Sequence, residues 1–192
     1  MVLNPESSAF DKLVENKLEP EIFSFELLDE FVRYAQTTGL SNFPVHIKID
    51  TGMHRLGFEE HDIDILCDLL EENKYIRVQS VFSHLVASDA EEHDEFTQKQ
   101  ISTFERAYKK IERALGYKFI KHIANTSGIT RWPQAQFDMV RLGIGLYGID
   151  TALPRGAGGL QPVVTLKTSV SQVRKVQAND TIGYNRDGKL AN

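Results

Sequence analysis

The sequence predicts an α/β fold, a partial (β/α)₈ barrel followed by the start of an all-β domain. Three observations carry this reading. Along residues 1–150, apolar runs of strand length alternate with longer stretches of helical period, the pattern of a parallel sheet with helices outside it. Polar residues within the strand-like runs collect at their C-terminal ends, the face where (β/α)₈ barrels gather their sites. From residue 162 the texture changes: Val163 to Val176 is rich in Val, Thr and Ser and has no helical period, as in a β-hairpin.

In chain order, Met1 to Leu3 reads as the tail of a strand stopped at Asn4-Pro5. Phe10, Leu13, Val14 and Leu18 follow at helical spacing. After a short strand at Glu21 to Ser24, Ser24 caps a helix that turns Leu27, Leu28, Phe31, Val32 and Ala35 inward and ends at Gly39. In the next strand Val45, Ile47 and Ile49 alternate with His46, Lys48 and Asp50. A Lys and an Asp on one face of a buried strand need partners. That face is therefore expected to line a site, with Arg55 reaching into it from a loop that opens at Gly52 and closes at Gly57. A helix with Ile65, Leu66, Leu69 and Leu70 on its apolar face carries Cys67 as a small core residue. Val78 to His84 is a strand ending in a histidine. The loop Ser88 to Glu95 is acidic, and its His93 has no second histidine at ligand spacing, so it reads as solvated and not as a metal site. A long helix presents Phe96, Ile101, Phe104, Tyr108, Ile111 and Leu115. Lys118 to Ala124 is a strand leading into Asn125-Thr126-Ser127-Gly128, Trp132-Pro133 breaks the chain, and Met139 to Gly148 reads as a last strand with Arg141 amid apolar residues.

The strands thus fall near 1–3, 21–24, 45–50, 78–84, 119–124 and 140–147. A barrel needs two more upstream. The expected organisation is a partial barrel over 1–150, a Gly- and Pro-rich linker over 151–161, and the beginning of a β-domain over 162–192, with a turn at Ala178 to Asp180 and a further strand from Thr181 to Tyr184.

Composition narrows the function classes. Of the 192 residues, 41% are hydrophobic and 26% charged, ordinary for a soluble globular protein. A net charge of −5 leaves no basic footprint for nucleic acid. No apolar run approaches the roughly 20 residues of a membrane span. Cys67 is alone, so no internal disulfide framework exists, and with no leader-like start at Met1 the expected location is a reducing cytoplasm.

Four ordered motifs now combine. Lys48-Ile49-Asp50-Thr51-Gly52-Met53-His54-Arg55-Leu56-Gly57, His122-Ile123-Ala124-Asn125-Thr126-Ser127-Gly128, Asp138-Met139-Val140-Arg141-Leu142-Gly143-Ile144-Gly145-Leu146-Tyr147-Gly148 and Thr181-Ile182-Gly183-Tyr184 together resemble the alanine racemases, fold-type III enzymes that use pyridoxal 5'-phosphate (PLP). The resemblance covers essentially the whole chain. It implies interconversion of L- and D-alanine for peptidoglycan synthesis by a cytoplasmic homodimer. The family's PLP lysine lies in a Lys-Ala-x-Ala-Tyr-Gly-His-Gly context that has no counterpart here, so the chain reads as an internal fragment that neither anchors PLP nor turns over alone. Details of Met1 to Gly39 and Asn185 resemble Bacteroidetes racemases, often fused behind a Mur ligase, so a Mur ligase upstream is a further expectation.

By the same resemblance, Tyr184 is one proton-transfer base, acting across the dimer interface, and His84, linked to Arg141, helps hold its charge. Arg141 faces the pyridine nitrogen and, keeping its own proton, leaves that nitrogen unprotonated. Arg55 meets the phenolic oxygen of PLP and the substrate carboxylate, and Lys48 is a carbamylated lysine that orients Arg55. Asn125 and Thr126 flank the cofactor, and Gly143 and Ile144 offer backbone N–H groups to its phosphate. No metal is implied. From the residues alone, Tyr184 reads first as an ordinary strand aromatic and Arg141 equally as a strand arginine paired to an acid, while Lys48, on a barrel strand, is an alternative PLP lysine that the resemblance argues against. His122 reads as a packed strand histidine, and His46 and His54 carry no role. Alternatives within the resemblance are a serine or broad-range racemase and a non-catalytic PLP-binding barrel.

Overall fold

The computed structural model describes residues 1–152 and 159–189. At its centre is a parallel sheet in the order β1 (Glu21–Ile22), β2 (Phe43–Lys48), β3 (Ile76–Phe82) and β4 (Ile120–His122). Strand order follows chain order because a helix lies between each pair of strands: α2 (Phe25–Thr38), α3 (Ile63–Glu71) and α4 (Asp94–Leu115), with α1 (Phe10–Glu15) before β1. The caps form as the sequence predicts. Ser24 Oγ accepts from Leu27 N at 3.2 Å, and Gly39 takes the left-handed conformation that ends α2. The core joins α1, α2, α3 and α4 to one face of the sheet, with Phe31, Ile47, Leu66, Val81, Phe104 and Ile111 fully buried.

Strand β2 is buried on both faces. Val45, Ile47 and Ile49 lie under the helices, while His46, Lys48 and Asp50 are equally enclosed on the other side. A bulge between Val45 and His46 decides what they meet. Val45 pairs with Val78, yet His46 pairs with Ser80, so Gln79 is skipped. One extra residue reverses which face the following side chains take. Ser80 and Phe82 thereby join the polar face, and Val81 pairs with Ile47 on the apolar one.

Several sequence expectations are corrected. The strand tail at 1–3 reduces to one parallel bridge between Val2 and Pro20. On α3 the buried stripe is Ile63, Leu66, Cys67 and Leu70, while Ile65 and Leu69 are exposed. The turn Glu60–Asp62, closed by a reciprocal cap between Glu59 and Asp62, delivers α3 with Ile63 as its first core residue and so sets the rotation. Phe96 on α4 is also partly exposed, because it covers Gly52 instead of entering the core.

The strand expected at 140–147 does not form. Asp138 N donates to Lys121 O at 3.1 Å and Arg141 N to Ala124 O at 3.0 Å. A parallel ladder advances two residues per bond, whereas these bonds are three apart on both segments. Thr126 Oγ1 then takes the N–H groups of Gly143 and Gly145, at 3.1 and 3.2 Å, and Ile144–Tyr147 closes as a 3-10 turn. Beyond residue 158, Val163 to Val176 carries no ladder and its Val163, Val164, Leu166, Val170 and Val173 are exposed. A hairpin with no layer to pack on buries neither face. Among the described residues the β-texture is realised as one short antiparallel pair, β5 (Thr181–Ile182) with β6 (Gly188–Lys189). Parts of the expected linker and of the C-terminal end fall on 153–158 and 190–192, outside the described residues.

Candidate active site at the strand ends

Register brings Lys48, Phe82 and His122 side by side at the C-terminal ends of β2, β3 and β4. Phe82 is the common surface. His122 stacks on its ring, with centroids 4.9 Å apart and planes 5° from parallel. Lys48 Nζ and Arg141 Cζ lie 5.1 and 5.4 Å from its centroid, a cation–π arrangement for both.

Arg141 arrives from the irregular segment after α5 (Thr126–Arg131) and spends its guanidinium on four neighbours. Nη2 donates to Ser83 O at 2.6 Å, to Ile123 O at 3.3 Å and to His84 Nδ1 at 3.3 Å, and Nη1 donates to His122 Nδ1. Arginine only donates, so both imidazole Nδ1 atoms accept and both rings carry their proton on Nε2. Burial and the Arg141 charge hold both histidines neutral: His84 is pushed down to about 4, with Lys48 and Arg55 adding to the effect, and His122 to about 3. Burial lowers Arg141 itself only to about 10, so it stays cationic at neutral pH.

The proton order continues outward. His122 Nε2–H faces Ser80 Oγ at 3.1 Å, Ser80 Oγ lies 2.6 Å from His46 Nδ1, and His46 Nε2 lies 2.8 Å from Glu19 Oε2. With an obligatory donor at Arg141 and a carboxylate acceptor at Glu19, each link donates toward Glu19. His46 is held below its ordinary pKa by burial, although Glu19 pulls the other way.

The loop after β2 folds back on the strand end. Asp50 N donates to Phe58 O at 2.8 Å and Phe58 N to Lys48 O at 2.9 Å. Gly57 crosses so closely that a Cβ there would sit 2.6 Å from Asp50 N, at φ +125°. Asp50 faces this loop: its Oδ1 accepts from Gly52 N and Met53 N at 2.8 and 2.9 Å. It is a turn-forming residue, not a site-lining one. Arg55 stands exposed in the loop. Lys48 is only 6% exposed, and its pKa is lowered first by burial and then by the Arg55 and Arg141 charges, against the pull of Glu21. Among the described residues, Lys48, Arg55 and Arg141 have no acidic ion-pair partner. Three cations left unpaired beside one strand-end cluster form a site built for an anion.

Across β4, Asn125 caps α5 by accepting from Gly128 N at 2.9 Å, and Thr126, buried, carries the backbone of Gly143 and Gly145. A Cβ at Gly145 would come 2.9 Å from Thr126 Cγ2, so only glycine permits this approach. The structure therefore gathers Lys48, His84, Asn125, Thr126, Arg141, Gly143 and Ile144 around the strand ends, with Arg55 on the adjoining loop. Tyr184 is not among them: it is fully exposed on the far segment. Sequence reasoning missed Glu19, Ser80, Phe82 and the linking roles of His46 and His122. The available signal was polar residues at paired positions of successive strands.

A parallel α/β sheet with a cation-rich cluster at its strand C-terminal ends is the arrangement in which (β/α)-barrel domains carry their sites. The family model for the alanine racemase N-terminal domain matches residues 1–151, and the chain belongs to that family, whose fold is TIM-barrel-like. It is 32% identical over 178 residues to alanine racemase of Treponema denticola, covering 91% of the chain and 47% of that protein. Identity to alanine racemase of Lawsonia intracellularis is 36% over 177 residues, covering 89% and 46%. Among solved structures, alanine racemase from Streptomyces coelicolor A3(2) superposes with a TM-score of 0.81 at 27% identity, over 93% of the chain and 48% of that protein. The crystal structure of alanine racemase from Bartonella henselae with covalently bound pyridoxal phosphate gives 0.79 at 25% identity, over 97% and 50%. The chain spans about half the length of the curated relatives it matches.

Proposed function

We propose that this chain is the central part of a PLP-dependent alanine racemase that interconverts L- and D-alanine. The carrying observation is Arg141, a half-buried arginine that donates to two neutral histidines and to the carbonyls of Ser83, His122 and Ile123 and has no acidic partner among the described residues. The residues present fit PLP. The cluster supplies unpaired cations for a phosphate and a carboxylate, and the glycine approach to Thr126 leaves backbone where a side chain would fill the space. Thr126 through its hydroxyl proton and Ile144 through its backbone N–H would hold the phosphate end beside Asn125, and Arg141 the ring nitrogen; the Gly143 N–H expected there from the sequence is instead given to Thr126 Oγ1. PLP, when bound, supplies the electron sink that acidifies the amino acid Cα.

The chain's own residues do the rest. Arg141 keeps its proton, so it offers the ring nitrogen a hydrogen bond and no acid, which limits the sink and suppresses side reactions such as transamination. Arg55 takes the substrate carboxylate in a bidentate pair. His84 is neutral with its proton on Nε2, so it donates to a phenolate oxygen and stabilises the ionised form of Tyr184. An ordinary tyrosine, with a pKa near 10, is a poor base at neutral pH without such help. Tyr184 works from the partner subunit, in keeping with its exposure in this chain. The second base, on the opposite side of Cα, is the PLP lysine outside this segment. Lys48 acts as a carbamate: its neutral amine adds to carbon dioxide, an N–C bond forms, a proton leaves, and the Lys48–Arg55 repulsion becomes a salt bridge.

The fuller reading is a cytoplasmic homodimer making D-alanine for peptidoglycan, with a partial barrel of about strands 3 to 8, a linker at 151–161 and a β-domain from 162. The sequence upstream of Met1 tests the Mur ligase expectation. The decisive experiment incubates the full-length protein with PLP and each alanine enantiomer and follows optical rotation. Racemisation in both directions is the expected result, with Tyr184→Phe lowering kcat by about 10²–10⁴-fold. No interconversion by PLP-saturated protein would overturn the reading, and equal turnover of serine would replace it by a broader racemase.

A further inference from the structure

Helix α4 carries a fully buried amide that the site described so far does not use. Gln100 is 0% exposed, and both of its N–H donors and its amide oxygen are spent on segments that leave the sheet. Its Nε2 donates to His84 O and to Thr51 Oγ1, both at 3.1 Å, and its Oε1 accepts from Val86 N at 3.0 Å. Two of these bonds serve an ordinary structural need, satisfying backbone groups of the chain just past β3, which no longer has a ladder partner. The Thr51 bond is different. Thr51 opens the loop that carries Arg55, and no backbone demand requires its hydroxyl to be bonded from α4.

Two further contacts tie the same points. Besides accepting from Gln100, Thr51 Oγ1 shares a hydrogen bond with Ser83 Oγ, 2.9 Å away. One turn earlier on α4, Phe96 lies over Gly52: a Cβ on that glycine would be 2.9 Å from the ring, so the loop has no slack there. One face of α4 thus grips the Thr51–Gly52 corner and the His84–Val86 segment at once.

We propose that Gln100 is a positioning residue that fixes the Arg55 loop relative to His84, so that the substrate-carboxylate arginine and the histidine facing the proton-transfer tyrosine keep one separation. The roles of Arg55 and His84 rest on the racemase reading above, whereas the clamp itself rests only on Gln100 and its partners. An amide suits this position because it has two donors for two acceptors in different segments and one acceptor for the remaining N–H. Neither a carboxylate nor a hydrocarbon of that size offers this set.

The test uses the full-length protein with Gln100→Leu, Gln100→Glu and Thr51→Val. Hydrogen exchange and steady-state alanine kinetics are measured on each. In Gln100→Leu the amides of 51–57 and 84–86 are expected to exchange about tenfold faster, the effect of losing bonds worth about 1 kcal/mol each, while those of α2 stay unchanged. Thr51→Val frees the 51–57 loop alone and raises the KM for alanine with little change in kcat. Gln100→Glu keeps an acceptor for Val86 and, once the Thr51 hydroxyl turns to donate, keeps Thr51 as well, but it sets a lone pair against His84 O. It therefore frees 84–86 and lowers kcat. Unchanged exchange at 51–57 in both Gln100→Leu and Thr51→Val, or a rise shared equally by α2, would overturn the clamp. If Gln100→Leu does not fold, Thr51→Val is read beside Ser83→Ala: both remove the Thr51–Ser83 bond and only Thr51→Val also removes the Gln100 bond, so faster exchange at 51–57 in Thr51→Val than in Ser83→Ala supports the clamp and equal exchange overturns it. A wild-type protein that exchanges as described yet does not racemise alanine would refute the racemase reading and leave the clamp standing.

Discussion

Acid should unfold this protein through its buried histidines before its carboxylates titrate. His84 and His122 start from an ordinary value of 6.5 when unfolded and are pushed in the fold to about 4 and about 3. A base whose pKa is lower in the folded state binds its proton more readily when unfolded. Stability from these groups is therefore complete above pH 6.5 and is lost as the pH falls from there toward the folded values. Around pH 5 both rings are charged in the unfolded chain and neutral in the native one, so unfolding takes up two protons. The slope is then about 2.7 kcal/mol per pH unit, and because the unfolded rings are half protonated at pH 6.5 the loss from pH 6.5 to 5 is about 3 kcal/mol, shared about equally by the two rings. His46, lowered by burial despite Glu19, acts in the same direction. The groups facing these rings are cations and one another, namely Arg141, Lys48 and Arg55 around His84, and Arg141 and His46 around His122, so among the described residues nothing acidic stands against either ring to reverse the sign. The assay is the urea midpoint at fixed ionic strength between pH 7 and 5, with the m-value checked for constancy. His122→Gln should remove one proton from the linkage and halve the slope. A wild-type slope below about 0.5 kcal/mol per unit would refute the neutral, Arg141-facing assignment of both rings.

Ser80→Ala should destabilise the fold by about 2–4 kcal/mol in urea titration, because it strands His46 Nδ1 and His122 Nε2–H without partners in a buried site. Gly57→Ala should cost more than about 2 kcal/mol, as its Cβ meets the Asp50 and Ile49 backbone at 2.6 and 2.9 Å and φ is +125°, and no neighbouring side-chain truncation should rescue it. With ¹³C-labelled bicarbonate the protein should show a carbamate carbon signal by NMR that Lys48→Met abolishes. In bicarbonate-free buffer, where Lys48 is unmodified, the same variant should stay within about 1 kcal/mol of wild-type stability, since removing an unpaired buried lysine offsets the lost packing.

Much of the fold could be read from periodicity because helices carry their rotation in sequence. Ser24 and Gly39 bound α2, and Phe31 and Ala35 are buried as their spacing requires. The failures share one cause: they depend on what lies beside the segment. Residues 140–147 have strand composition, but the free edge of β4 offers them bonds at three-residue intervals, and Thr126 competes for their N–H groups. The bulge at His46 is likewise invisible in β3 alone, where Val78, Ser80 and Phe82 look like one face. Pairing with β2 shows Val78 under the helices and the other two in the site. The site followed the same division. Lys48, Arg55, His84, Asn125, Thr126 and Arg141 were legible through motifs, whereas Glu19, Ser80 and Gln100 bond to partners on other elements, up to 27, 42 and 49 residues away.

The hidden part explains how the visible part keeps its charge. A cluster containing Lys48, Arg55, Arg141 and three histidines within one hydrogen-bonded neighbourhood would titrate across neutral pH if the histidines shared in the charge. They do not, because hydrogen-bond direction forbids it. Arg141 occupies Nδ1 of His84 and His122 as a donor, so a second proton on either ring would point at a guanidinium N–H. Ser80 passes the same constraint to His46, and Glu19 ends it. The positive field at the strand ends therefore comes from two arginines and one lysine, and the charge of Lys48 is weakened by burial and by its like-charged neighbours Arg55 and Arg141. That makes Lys48 the group whose chemistry can change, and its conversion to a carbamate would retune the field around Arg55 while leaving Arg141 and its histidines as they are.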